Sequence, residues 1–143
     1  MRYTHLALAG TALAIALGGA SVAGAAGGDA QITVGTPTTL HAGQTAPFDA
    51  AGVKAVRRGK PIPDGYALVG RDVTIDRGTA GTAGAAFTLS CPSGKTARTL
   101  GFTGQDGPQV IGDRYVGHRS VRVAVWGPPN HAQSHGTSYV VCR

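Results

Sequence analysis

The chain has 143 residues, with 13 lysines and arginines against seven acidic residues and a formal charge of +6. All seven acids are aspartates, which excludes H-E-x-x-H zinc hydrolysis and any mechanism that needs a glutamate as acid or base. The length is that of one domain.

The N-terminus carries Arg2, then an uncharged apolar run from Leu6 to Leu17. That run is shorter than the roughly 20 apolar residues that cross a bilayer. Small residues follow, and Ala23-Gly24-Ala25 fits the A-x-A pattern of signal peptidase. Residues 1–25 are expected to be a cleaved secretory signal peptide, with cuts after Ala26 or Ala23 fitting the same pattern. The mature chain keeps 12 basic and seven acidic residues, a charge of +5. Its roughly 115 residues can bury about 65% of their unfolded surface. Its expected location is extracellular.

Residues 26–38, rich in Gly, Ala and Thr, read as a partly flexible lead-in in which "QITV" (31–34) has strand character. Residues 39–143 read as one all-β domain. A short helix is expected near 49–58, where Asp49 could cap the start, Lys54, Arg57 and Arg58 follow toward the end, and Gly59 terminates. A basic loop fits the same stretch, because Gly52 weakens the helix by about 1 kcal/mol.

Period-2 alternation marks the strands. "YALVG" (66–70) and "RDVTID" (71–76) come first, the latter with Val73 and Ile75 on one side. "AAFTLSC" (85–91) alternates Phe87, Leu89 and Cys91, and is expected to pair with "TARTLGF" (96–102) across the turn "PSGK". "RSVRVAVW" (119–126) points Val121, Val123 and Val125 one way, and "SYVVC" (138–142) closes the chain. Pro/Gly turns at 63–65, 92–94, 105–108 and 127–129 separate these runs. The pattern predicts a small antiparallel β-sandwich or partly open barrel of six to eight short strands. Cys91 and Cys142 are the only cysteines, and in an oxidising compartment they read as one disulfide.

The stretch "GKPIPDGYALVGRDVTIDRG", with one cysteine in "CPSGK" and a last strand ending in "CR", resembles small secreted proteins of actinomycetes. The resemblance implies export and brings no activity with it.

Several chemistries fail on spacing. "SGKT" (93–96) lacks the glycine of a phosphate loop, since Leu89 occupies that position, and a strand follows where a helix is required. "GFTGQDG" has the wrong glycine spacing for a dinucleotide fingerprint. Asp72 and Asp76 on an extended strand lie about 13 Å apart, beyond the roughly 5 to 9.5 Å of glycosidase carboxylates. Ser120 beside His118 and Ser134 beside His135 are sequence neighbours only, and no G-x-S-x-G elbow is present. No catalytic residue and no cofactor are expected.

Two binding readings remain. In "WGPPNHAQSH" (126–135), Asn130 could cap a helical turn that puts His131 and His135 on one face, with His118 or Asp113 as a third metal ligand. The competing reading is an exposed hairpin loop. The second is a basic face for a polyanion or partner, made of Arg57, Arg58 and Lys60 and extended by Arg71, Arg77, Lys95 and Arg98. The scarcity of interleaved aromatics argues against single-stranded nucleic acid, and leaves a cell-wall polymer or an extracellular protein as partner. "VRRGKPIP" also suits a protease-inhibitor loop, provided it is held rigid. The function expected is a non-catalytic binding or structural role outside the cell.

Overall fold

A computed structural model describes residues 30–79, 83–104 and 108–143. The expected signal peptide and the start of the lead-in, residues 26–29, lie outside these residues.

Eight strands form two antiparallel sheets packed face to face, and no helix occurs among the described residues. The first sheet holds β1 (Gln31–Val34), β2 (Thr38–His41), β3 (Ala67–Asp76), β5 (Ala97–Thr103) and β8 (Gln133–Cys142). β1 and β2 share β3 as partner, β8 lies on the other side of β3, and β5 forms the far edge. The second sheet is β4 (Ala83–Ser90), β7 (Ser120–Gly127) and β6 (Gln109–Val116), in that order. "YALVG" and "RDVTID" join into one strand, β3, whose ten residues pair with β8 throughout.

Alternation decides what each strand buries. Val121, Val123 and Val125 of β7 and Phe87 and Leu89 of β4 face Val73, Ile75 and Val140 of the first sheet, all buried. Each such side chain contributes roughly 1.5–3 kcal/mol when fully removed from water. The disulfide Cys91–Cys142 ties the two sheets together at one end, with a Cα–Cα distance of 5.6 Å.

A second core lies on the outer face of the first sheet. Residues 42–66 fold back over it and bury Ala46, Phe48, Val56 and Ile62 against Leu68 and Val141. Tyr139 lies on the same face between Gly70 of β3 and Gly101 of β5, and its ring stacks on Phe48 at 5.5 Å. Both glycines are required. A Cβ at Gly70 would sit 2.5 Å from the Tyr139 ring, and one at Gly101 would collide with Phe48.

Two sequence expectations are corrected here. The helix near 49–58 does not form. Gly52 and Gly59 take positive φ (74° and 72°), and backbone bonds Val53 N to Ala50 O and Ala50 N to Val56 O close turns instead. Asp49 accepts from the backbone N–H of Arg58 (3.0 Å), so it staples a loop rather than capping a helix. Burial of Val56 and Ile62 needs that folded-back path, and tertiary packing overrides a weak helix preference. The second correction concerns pairing. β4 and β5 do not form a hairpin: β4 pairs with β7, and β5 crosses to β8. Thr96 and Arg143 exchange two backbone hydrogen bonds (2.7 and 2.9 Å) that start the β5–β8 ladder beside the disulfide.

Candidate functional site

The topology sorts the chain ends of the strands into two groups. The loops 42–66, 91–96 and 117–119, together with Arg143, gather at the disulfide end; residues 77–79, 104 and 128–132 gather at the opposite end.

This separates the expected metal ligands. His118 sits in the turn between β6 and β7, whereas His131 lies in the loop beyond the other end of β7. Eight strand residues place the two more than about 20 Å apart. No helical turn spans 131–135, because β8 begins at Gln133 and commits His135 to a ladder position opposite Thr74. Asp113 lies in mid-β6 opposite Val123 and joins neither. Among the described residues no three His, Cys, Asp or Glu side chains converge. What shapes the loop is Arg77. Its Nε donates to the His131 carbonyl (2.8 Å), its Nη2 to that of Pro129 (2.7 Å), and its backbone N–H to Ala132 O (2.9 Å).

The serine and aspartate pairs also separate. Ser134 is buried and His135 exposed, because neighbours on a strand face opposite ways. The Ser120 hydroxyl is hydrogen-bonded to that of Ser90 (2.8 Å). Asp72 accepts from the Thr137 hydroxyl, and Asp76 from Gln133 Nε2 (3.0 Å) and Gly78 N (2.9 Å).

The basic residues divide as well. Arg71 is opposite the buried Ser138 in the β3–β8 ladder, on the face turned toward the second sheet, so it does not extend a surface patch. Arg77 is engaged in the loop clamp. The others gather. Arg57, Arg58 and Lys60 project from the folded-back loop between two buried anchors, Val56 and Ile62. Their loop is held by Gly59 N to Ala46 O (2.9 Å), Ala46 N to Lys60 O (2.8 Å) and Ile62 N to Gln44 O (2.8 Å). The loop is therefore well tethered, but Lys60 N to Arg57 O (3.1 Å) makes residues 57–60 a tight turn. A protease takes its substrate extended, and this segment is not. Lys95 reaches across to the Gly65 carbonyl (2.5 Å). Arg119, in the β6–β7 turn, donates to Cys91 O (2.8 Å).

Within this cationic end lies an open cleft of about 520 Å³, lined by Gly52, Val53, Lys54, Ala55, Tyr66, Arg98 and Arg143. Three cations face it, from the loop, β5 and the end of β8, and none of the lining side chains is acidic. Arg143 is placed by its backbone pair with Thr96 and by its guanidinium, which lies 5.3 Å from the centroid of the Tyr66 ring. That contact turns a flexible cation into a positioned one. Of these residues only Arg98 was expected. Lys54 was hidden in the supposed helix. Tyr66 and Arg143 carried no sequence signal, since they meet only through the β3–β8 ladder that sets Ala67 opposite Cys142, and Arg98 joins them through the β5–β8 pairing.

Fold and cleft define a class: a small antiparallel β-sandwich with one disulfide and an open cleft lined by three cations at one end. Comparison with protein-family models, curated proteins and solved structures finds no match to this chain. No helix among the described residues is long and apolar enough to cross a membrane. That and the formed disulfide are compatible with an extracellular protein.

Proposed function

We propose that this chain is an exported, non-catalytic binding module that captures an anionic polymer of the cell exterior in the Lys54–Arg98–Arg143 cleft. One observation carries the reading: three cations from separate parts of the chain line one open cleft with no acidic side chain among them. Like charges are not brought together for stability, so their convergence favours a ligand that neutralises them. Export rests on the apolar leader, the A-x-A site and the disulfide, and the resemblance to small secreted proteins agrees with it.

The test is binding of polyphosphate and of polygalacturonate by isothermal titration across a range of salt. The Lys54→Ala/Arg98→Ala/Arg143→Ala variant should lose most of the affinity. Its log–log salt slope should flatten by about 0.7 per lost contact, taking the single-strand value as a guide. Arg57→Ala/Arg58→Ala/Lys60→Ala, with the same charge change outside the cleft, should lose much less. Equal losses in the two variants would mean attraction to general charge and sink the reading.

A further inference from the structure

The second sheet ends in an edge strand, β6, which the first sheet touches through the hydrogen bond that the Tyr115 hydroxyl donates to the Arg98 carbonyl (2.9 Å). All eight residues of β6 are exposed, including Ile111 (64%) and Val116 (53%). Among the described residues β6 pairs with β7 alone. A free strand edge presents a row of backbone donors and acceptors to any extended chain. Natural edges are blunted by charge and by bulges; β6 has Asp113 and Arg114 and a register shift between Val110 and Gly112, and its regular ladder runs over residues 112–116, where the arrangement of charge is specific.

In the ladder, Arg114 lies directly opposite Arg122, and Arg122 directly opposite Thr88. All three belong to the solvent face, because the flanking residues of β7, Val121 and Val123, are buried. Two like charges directly opposite each other across a ladder are destabilising. Both arginines line two depressions on that face. One, of about 190 Å³, is floored by the small residues Gly112 and Ala124; the other, of about 430 Å³, runs past Val116 and Gly117. Asp113 also borders the smaller one, but its ladder partner is the buried Val123, so it belongs to the other face.

The geometry points to β6 as a docking edge for an extended acidic peptide that adds a strand to the second sheet. The cross-strand row Thr88–Arg122–Arg114 is completed by a carboxylate on the added strand. Two residues along, the same face of that strand meets Val116, which calls for an aliphatic side chain. Main-chain bonds supply the attachment, and the alternate side chains supply the selectivity. A second copy of this chain is a poor occupant. Added antiparallel in a continuous sheet, it presents Gln109, Gly112, Arg114 and Val116 on that face, so four arginines crowd together without a carboxylate.

The probe is a dye-labelled Thr-Val-Thr-Glu-Thr-Val-Thr peptide, symmetric so that either strand direction fits, read by fluorescence polarisation and by amide hydrogen exchange. Binding should slow exchange in residues 109–116. It should weaken about tenfold with Gln in place of the peptide Glu, and about tenfold in Arg114→Ala and in Arg122→Ala, the scale of a lost charge-assisted hydrogen bond. Proline in place of the two inner threonines keeps the charge but removes ladder donors, and should abolish binding. Equal binding of the proline peptide would overturn strand addition. So would protection confined to residues 50–66, or a loss caused by Arg98→Ala alone, either of which would assign the peptide to the basic cleft. Concentration-dependent dimers that protect 109–116 without peptide would overturn it in favour of a second copy.

Discussion

The two ends of the sandwich draw on the same residue types and place them differently. At the disulfide end Lys54, Arg98 and Arg143 line an open cleft, with Arg57, Arg58 and Lys60 on the loop beside it. At the other end Arg77 directs its donors to the carbonyls of Pro129 and His131 and becomes part of the frame. The histidine-bearing loop is therefore a clamped crossing from β7 of the second sheet to β8 of the first, not a hairpin loop, whereas Lys54, Arg98 and Arg143 face an open cleft. A charged side chain signals function by where its donors point, and counting charges does not reveal that.

The contrast can be broken most severely at the disulfide. Replacing Cys91 and Cys142 with serine releases a sequence separation of 51 residues and should cost about 4 kcal/mol by loop-closure entropy. Denaturant unfolding checks it, and polyanion binding should fall with stability because Arg143 loses its anchor. Next comes Gly101→Val, whose side chain would displace the Phe48 ring from the sheet. About 2 kcal/mol of overpacking cost is expected, with faster amide exchange in residues 42–66 and weakened anion binding while exchange at 128–132 is unchanged.

Arg77→Ala probes the opposite end and should cost about 2 kcal/mol, the scale of hydrogen bonds from a charged donor. Exchange should quicken at 128–132 and anion binding should be unaffected.

The smallest effect is a pH slope. Burial, helped by the charge of Asp72 and opposed by a hydrogen bond with Thr137, raises the Tyr139 phenol above its ordinary 10.0. The folded state thus holds the neutral phenol while the unfolded chain ionises from about pH 10. The contribution is whole below that pH and is lost as pH rises toward the folded value. Thermal melts from pH 8 to 11 should show the decline, and Tyr139→Phe should flatten it.

Much of the fold was legible because period-2 alternation reports directly on a two-sided strand. Val121, Val123 and Val125 face the core as the pattern requires, and Cys142 returns to Cys91. β2 and β6 were not legible. Thr38–His41 is short, and Gln109–Val116 buries no alternate face, so neither carries the signal that burial imprints. The β4–β5 hairpin failed for a different reason: a Pro-Ser-Gly turn can close a hairpin or carry the chain across to the other sheet, and local sequence does not distinguish them.

The all-β class, the inward faces of β3, β4 and β7 and the cysteine pair are written in the chain itself, because they follow from alternation and composition within single segments. Its composition also rules out glutamate chemistry outright. Folding in three dimensions is what sets His118 and His131 at opposite ends, turns Arg71 inward, and brings Lys54, Tyr66, Arg98 and Arg143 together. Those outcomes depend on which strands pair and where loops fold back. Such contacts join residues far apart in the chain, so no local period records them.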